Sequence, residues 1–253
     1  MKSNKAKVIG MTLLIVVIII SWGVIDYLPT IGDVNSPPNA HISHTYIEEG
    51  PEKTNSPNLV TGILADYRGF DTLLETTVMF LAGVAVSMIL SNKMKRRWDK
   101  SIFGDSRLFG GPDVKVLMPL IVPVILLYAA YVLFHGEVSL GGGFQAGALI
   151  ALGYILWTLI ANIEIKRVKV TQHFAVCVAG FGVLIYAVTG LLPILFGGKF
   201  LEYEKLPLPV HEAAELHSIG ILFIEIGVTV CVGATIINIL QAVLERNSLN
   251  ERD

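Results

Sequence analysis

The sequence predicts an all-α integral membrane protein with about six transmembrane helices and both termini in the cytoplasm. Three observations carry this prediction: the composition, six long apolar runs, and the distribution of Lys and Arg. Hydrophobic residues make up 53% of the 253-residue chain and charged residues only 16%, whereas soluble domains carry about 25% charged residues. The net charge of −2 gives no general attraction to nucleic acid.

Six apolar runs approach or exceed the roughly 20 residues that a helix needs to cross a membrane. They cover about residues 8–26, 70–91, 116–134, 144–163, 173–196 and 217–241. The first run follows a short lysine-containing segment, as the apolar part of a signal peptide would. It is longer than such a region, and no small-residue cleavage site follows it, which favours a retained helix.

Lys and Arg are distributed unequally between the two sides of the predicted membrane. Fifteen of the 19 lie in the N-terminus, the loop 92–115, the loop 164–172 and the C-terminal tail. Cytoplasmic loops carry the excess of Lys and Arg, so six spans with both termini cytoplasmic satisfy this rule at every loop. The basic loop 92–115 is predicted to anchor the topology and to contact lipid headgroups.

Other features of the sequence exclude several classes of function. The external loop of about residues 27–66 is rich in Pro, Asn and Ser without periodicity, which predicts no regular structure. Cys177 and Cys231 lie in apolar runs without a CxxC pair, so both are predicted to be small buried hydrophobic residues. The sequence contains no nucleophile–base set, phosphate loop or metal-ligand spacing, which argues against an enzyme.

Ionisable side chains inside membrane spans are costly and are functional candidates by default. Asp71 and Glu75 open the second span and, by their spacing, lie on one helix face with Arg68. They predict either an interfacial Arg–Asp pair with an outward-reaching Glu75, or part of a proton or cation path. Glu225 lies within the sixth span with no basic residue at helical spacing. It is expected to be neutral, hydrated, or paired with another helix or subunit.

The segment HGEVSLGGGFQAG joins the third and fourth spans. Its three consecutive glycines, Gly141, Gly142 and Gly143, permit a tight turn, positive φ and close contact with neighbouring atoms. The N–H groups at the start of the fourth helix then face whatever lies beside them, and Gln145 adds a donor and an acceptor near the membrane edge. The residues alone leave two interpretations open: a purely structural turn, or a turn with a functional role.

The same segment resembles the B subunit of Mrp-type (Mnh-type) multisubunit sodium/proton antiporters, which carry an HG-x-x-x-PGGGFQ-G-like signature. The stretch LFIEIGVTVCVGAT resembles the last helix of that subunit, with Glu225 in place of the usual Asp. Leu140 replaces the usual Pro of the signature. The stretch DYRGFDTLLETTV is similar to the end of the Mrp A subunit, with Leu74 in place of Gly. In hydrogenase-type and sulfur-reducing respiratory complexes that part is a separate small subunit of the MbhE type.

The resemblance implies an A-subunit tail fused to a B subunit. We therefore expect a two-helix segment with a long external loop over residues 1–92, a basic cytoplasmic linker over 93–115 and a four-helix B-like domain over 116–253. The ion-path candidates that it implies are Asp71, Glu75, Glu225, Gln145 and His135. The residues to which it gives motif or structural roles are Arg68, Gly141, Gly142, Gly143 and Phe144.

The resemblance also implies a function: a multi-pass subunit of a sodium/proton antiporter module in the cell membrane. The module would stand alone or be attached to a hydrogenase or sulfur reductase. The expected partners are the lipid bilayer, A-, C- and D-like and small Mrp-type subunits, and, in a redox-driven complex, hydrogenase or sulfur-reductase subunits. No bound cofactor or nucleic acid is expected, and Na⁺ and H⁺ are the expected transported ions. Two alternatives stay open, a purely structural scaffold subunit and a self-sufficient small ion transporter.

Overall fold

The computed structural model describes residues 2–25, 27–91, 112–164, 170–210 and 212–250. These residues form helices and irregular connections and contain no β-strand, which confirms the predicted all-α class. The long helices are α1 Lys2–Ile25, α2 Gly69–Ser91, α3 Pro112–Phe134, α4 Gly143–Glu164, α5 Gln172–Leu195 and α6 Ala213–Asn250.

Five of these helices contain a described segment that is long and apolar enough to cross a membrane. The segments are Val8–Ile25, Gly69–Leu90, Val116–Phe134, Gln172–Leu195 and Ala213–Val243. In α4 the described apolar part is Gly143–Thr158, within a helix of 22 residues. The chain is therefore a multi-pass membrane protein. The side of the membrane on which each terminus lies stays a prediction.

Residues 1–46 and 47–253 form two compact units. The first contains α1 and a turn in which the Asn35 N–H donates to the Asp33 carboxylate at 2.9 Å. The second contains the other five long helices and is centred on α6, which packs against α2, α4 and α5. Within it, α4 also packs against α3, and α2 against α5. The division of the chain into 1–92, 93–115 and 116–253 stays a prediction.

Small residues let other helices approach the backbone of α6. A Cβ added at Gly227 would lie 2.8 Å from the Gly182 carbonyl oxygen of α5, and one at Gly233 would lie 3.2 Å from the Gly147 carbonyl oxygen of α4. Such close approach stabilises helix pairs in membranes, where van der Waals packing replaces the hydrophobic effect. As a result 67% of the α6 span is buried, against 17% of the α2 span.

The prediction that residues 27–66 lack regular structure is wrong. Short helical turns occupy Pro38–Ile42, Thr45–Glu49, Gly50–Thr54, Leu59–Thr61 and Gly62–Tyr67. Asn58 caps one of them by accepting a hydrogen bond from the Val60 N–H at 3.1 Å. The buried Tyr203 hydroxyl donates to the Ala65 carbonyl oxygen at 2.8 Å. Contacts with distant residues thus order a segment whose local composition is typical of a loop.

The basic loop 92–115 falls mostly outside the described residues, as do residues 165–169 of the other basic loop. Cys231 is buried as predicted, but the prediction is wrong for Cys177, which is exposed. Cys177 shares an exposed face of α5 with Phe174 and Phe181. A membrane-spanning helix is apolar on its outer face too, so an apolar run does not identify the side that packs inside the protein.

Candidate functional site

The side chain of Glu225 faces the turn that joins α3 to α4. Glu225 lies on α6 and is only 7% exposed. A Cβ added at Gly136 would lie 3.0 Å from its Oε2, and one added at Gly142 would lie 3.0 Å from its Oε1. Both carboxyl oxygens therefore lie against the backbone of the turn, at positions where a larger residue would press on them.

The glycines of the turn serve two different purposes. Gly142 has φ +126°, a conformation that side chains rarely tolerate. Gly141 and Gly143 are needed for space, since a Cβ at Gly141 would lie 2.6 Å from the Val132 carbonyl oxygen and one at Gly143 would collide with the Glu225 carbonyl oxygen. The predicted tight turn is present, and two of its three glycines serve close contact and not conformation.

The Glu225 carboxyl has no counter-ion among the described residues. Its Oε2 is buried and has no hydrogen-bond partner there. The nearby Thr229 hydroxyl donates instead to backbone, at 2.8 Å to the Glu225 carbonyl oxygen and 3.2 Å to that of Gly143. Burying an unpaired charge is costly, so this environment favours a proton or a cation at the carboxyl.

A second carboxyl, that of Glu137, belongs to the same turn. Glu137 is half-buried, and its carboxylate accepts a hydrogen bond from the Ser218 hydroxyl of α6. Burial raises the pKa of the Glu137 carboxyl, and the Ser218 hydrogen bond offsets part of that rise. The Glu137 charge also repels that of Glu225, so the ionisation of one carboxyl disfavours the ionisation of the other.

Polar residues of the N-terminal part of the chain hold the other side of the turn. Asn58 Nδ2 donates to the Gly136 and Ser139 carbonyl oxygens at 2.8 and 2.7 Å. The Asn58 backbone N–H donates to the Glu137 carbonyl oxygen at 2.9 Å. Thr61 adds a 2.7 Å hydrogen bond from its hydroxyl to the Gly136 carbonyl oxygen. These bonds fix the backbone that contacts Glu225.

The predicted ion-path candidates at the start of α2, Asp71 and Glu75, make their described interactions with residues outside this turn. The Arg68 guanidinium contacts the Asp71 carboxylate through Nε at 2.7 Å and Nη2 at 2.6 Å. Both side chains are about half exposed, and Glu75 is exposed and acts electrostatically on Tyr186 of α5. The predicted Arg–Asp pair is therefore present, and the role of Glu75 in an ion path stays a prediction.

The remaining motif residues lie at the edge of the turn. His135 is exposed and stacks on Tyr131 with ring centroids 4.4 Å apart. Phe144 and Gln145 are exposed on the first turn of α4. The structure thus brings the glycines of the motif together with Glu225, whereas His135 stacks on Tyr131 and the side chains of Phe144 and Gln145 are exposed.

A second polar cluster surrounds His217 of α6, the residue before Ser218. His217 Nδ1 is hydrogen-bonded to the Asp66 carboxylate, and its Nε2 lies 3.7 Å from Glu204 Oε1. The Tyr203 ring meets the His217 ring edge-on at 5.7 Å. Sequence reasoning missed these partners, as it missed Glu137 and Ser218, because they come from distant segments. The sequence signals for this region were the glycine motif and the costly position of Glu225.

Two family models match the chain. The model described as a domain related to the MnhB subunit of Na⁺/H⁺ antiporter matches residues 114–238. The model for MbhE, the E subunit of MBH, matches residues 12–101. The first range contains the glycine turn and Glu225, and the second contains Asn58, Asp71 and Glu75.

Curated proteins with similar sequences are antiporter subunits. The chain is 32% identical over 126 residues to a Staphylococcus aureus (strain Newman) protein assigned as antiporter subunit mnhB2, a match that covers 47% of this chain and 89% of that protein. It is 26% identical over 217 residues to a Rhizobium meliloti (strain 1021) protein assigned as the A/B subunit of a K⁺/H⁺ antiporter. That match covers 76% of this chain but only 22% of the longer protein.

Two solved structures contain chains of similar fold. One is the membrane-bound sulfane sulfur reductase (MBS), an archaeal respiratory membrane complex, with a TM-score of 0.63 and 28% identity over 95% of this chain and 98% of that chain. The other is the Mrp complex from Dietzia sp. DQ12-45-1b, with a TM-score of 0.61 and 26% identity. The second match covers 94% of this chain and 26% of that chain.

Proposed function

This chain belongs to the family of MnhB subunits of Na⁺/H⁺ antiporters, and from that premise we propose that it is a membrane subunit of an Mrp-type cation/proton antiporter module that takes part in cation translocation as well as assembly. The observation that carries the translocation role is the Glu225 carboxyl, which is more than nine-tenths buried and faces the glycine turn. Ionisable groups in membrane spans are characteristic of ion and proton pathways.

The carboxyl of Glu225 is suited to exchange one positive charge for another. Because its buried Oε2 has no partner among the described residues, the ionised form is costly unless a proton or a cation is bound. An alternation of a proton and a monovalent cation at one carboxyl is the chemistry that an antiporter requires. We propose Na⁺ and H⁺ as the exchanged ions, with no other bound cofactor in this chain.

The proposed partners are further membrane subunits of the same module and the lipid bilayer. The chain spans less than a third of the Rhizobium protein and of the Dietzia Mrp chain, so a complete antiporter needs more protein than this chain supplies. The sulfane sulfur reductase chain, by contrast, is matched over nearly its whole length. That observation favours a second candidate host, a redox-driven respiratory complex. In either host we propose a transporter subunit and not an enzyme.

Replacement of the carboxyl tests the translocation role. The purified complex is reconstituted into proteoliposomes, and Na⁺-dependent dissipation of a pH gradient is measured for Glu225→Gln, Glu225→Asp and the control Glu212→Gln. Glu212 is an exposed carboxyl just before α6. We expect Glu225→Gln to lose transport because it cannot ionise, Glu225→Asp to retain part of it, and Glu212→Gln to match the unmodified complex.

The composition of each variant complex separates transport from assembly. Normal transport by an assembled Glu225→Gln complex would contradict the translocation role. Failure of that variant to assemble, with normal coupling in whatever does assemble, would favour the purely structural scaffold. Co-migration of the native chain with antiporter-like subunits alone, or with iron–sulfur or nickel subunits, distinguishes a stand-alone module from a respiratory complex. Ion flux from the purified chain alone would favour a self-sufficient transporter.

A further inference from the structure

We propose that Glu137 and Glu225 together form one ion-exchange site, in which the pair keeps one proton when no cation is bound and releases it when one monovalent cation binds. The inference rests on the proposed function and deepens it. It adds Glu137 as an ion-binding residue and specifies one proton per cation, which neither the glycine motif nor the similarity to known proteins assigns.

The first support is the position of the two carboxyls on one piece of backbone. Gly136 lies against Oε2 of Glu225, and Glu137 is the next residue of the turn. Consecutive Cα atoms lie about 3.8 Å apart, so the Glu137 side chain begins beside the backbone that touches the Glu225 carboxyl. From there it reaches the Ser218 hydroxyl, which lies seven residues before Glu225, and therefore on the same face of α6.

The second support is that the buried carboxyl of the pair, that of Glu225, lacks a hydrogen-bond partner among the described residues. Glu225 is more than nine-tenths buried, and its Oε2 has no hydrogen-bond partner among the described residues. The Glu137 carboxylate, by contrast, has the Ser218 hydroxyl as a donor. One carboxyl of the pair is thus equipped to carry a negative charge, while the other needs a proton or a cation.

The third support is the charge balance of the surroundings. Glu137 is bonded to other elements through the Ser218 hydroxyl of α6, which donates to its carboxylate, and through the neutral Ser56 and Asn58, which donate to its carbonyl oxygen. His135, on its own turn, is exposed and stacked on Tyr131, and the neighbouring His217 bonds to Asp66. The charged group that interacts electrostatically with Glu137 here is the Glu225 carboxyl, which lies against the backbone of the preceding residue, Gly136. Two interacting carboxyls disfavour each other's ionisation unless a cation compensates the charge.

The turn also gives the pair a defined geometry. The Asn58 and Thr61 side chains donate to the Gly136 carbonyl oxygen, and the Asn58 N–H donates to that of Glu137. These bonds anchor both the residue that touches Glu225 and the residue that bears the second carboxyl. Preorganised ligands of this kind need little reorganisation when an ion binds.

The test compares Glu137→Gln and Ser218→Ala with the control Glu212→Gln in the reconstituted complex. Uptake of ²²Na⁺ is measured against Na⁺ concentration at several pH values. We expect Glu137→Gln to raise the half-saturating Na⁺ concentration by about tenfold or more, the equivalent of one pKa unit of lost interaction, and to flatten the pH profile. Glu212→Gln should leave both unchanged.

Ser218→Ala provides the more selective measurement, because it keeps both carboxyls. Removal of the hydroxyl donor takes away the contact that lowers the pKa of Glu137, so that pKa rises further. The proton then competes more strongly with Na⁺, and the pH at which uptake reaches half its maximum moves upward. This variant also covers the case in which Glu137→Gln does not assemble.

The outcomes distinguish this inference from the proposed function. A Glu137→Gln complex with an unchanged half-saturating Na⁺ concentration and pH profile, or an unchanged pH midpoint in Ser218→Ala, overturns the two-carboxyl site. If Glu225→Gln is inactive in the same experiment, the proposed function still stands. If Glu225→Gln transports normally, the proposed translocation role itself fails.

Discussion

The acidic groups of α2 and of α6 lie in opposite environments although both belong to membrane-spanning helices. Glu225 is buried against a glycine turn without a described counter-ion. Glu75 is exposed, and Asp71, one turn before it, is paired with Arg68. The chain therefore encloses one acidic site by its own fold, whereas the acidic groups of α2 face whatever surrounds the chain in the membrane.

The reason for the difference lies in the positions of the two helices. α6 packs against the other four long helices of residues 47–253, so a side chain directed toward them is removed from the surroundings. α2 lies at the periphery, with less than a fifth of its span buried. An acidic group on α2 can therefore be completed by another subunit, while one on α6 must be satisfied from within the chain or by an ion.

The largest effect is expected from a side chain placed inside the enclosed region. Gly142→Ala combines a φ of +126° with a Cβ 3.0 Å from Glu225 Oε1. Backbone strain alone costs about 1–3 kcal/mol, and displacement of the carboxyl should abolish transport. Unfolding in mixed micelles measures the first effect, and Na⁺-coupled transport measures the second.

The matched control for that variant is Gly197→Ala. Gly197 also has positive φ, +81°, but a Cβ there meets no atom within 4 Å. The free energy of unfolding of Gly197→Ala should fall by backbone strain alone, and its Na⁺-coupled transport should be retained. Equal loss of transport in the two variants would mean that the contact with Glu225 is unimportant.

An intermediate effect on stability is expected from removal of the Asn58 side chain, which is hydrogen-bonded to the turn. Asn58→Ala deletes the side-chain donor to the Gly136 and Ser139 carbonyl oxygens. Loss of these bonds should lower the free energy of unfolding by about 1–3 kcal/mol. Unfolding in mixed micelles checks this value, with the exposed Asn35→Ala as a control that should change little. An unchanged free energy of unfolding in Asn58→Ala would show that the stability of the turn does not depend on Asn58.

The smallest effect is expected in the open region at the start of α2. Asp71→Asn removes an ion pair whose side chains are about half exposed, and such pairs contribute about 0–1 kcal/mol. Stability measured at low and high salt should differ slightly for the unmodified chain, and less for the variant, because salt screens exposed pairs. A loss of several kcal/mol would instead place Asp71 in a buried network, and would erase the contrast with Glu225.

Several elements of this structure follow from local sequence features. Apolar runs of membrane-spanning length predict the long helices, and three consecutive glycines predict a tight turn. Glu225 is identifiable as unusual because carboxyls are costly in apolar surroundings. Arg68 and Asp71 are predictable as a pair because residues three apart on a helix are neighbours.

Other elements depend on contacts between residues far apart in the chain. Ser218 and Glu137 are 81 positions apart, and His217 and Asp66 are 151 positions apart. Local periodicity contains no information about such pairs. The order of residues 56–65 was missed for the same reason, since their hydrogen bonds with the glycine turn and Tyr203 outweigh a composition that is typical of a loop.

The helical membrane class, the glycine turn and the costly carboxyl on the last helix can all be predicted from local sequence features. These properties depend on hydropathy and backbone conformation, which are local. Three further relations are visible only in the folded chain: the turn faces Glu225, Glu137 belongs to that turn, and Asn58 from the MbhE-like region is hydrogen-bonded to it. These relations depend on which backbones approach one another. That follows from the packing of α4 against α3 and α6 and from the hydrogen bonds between Asn58 and the turn.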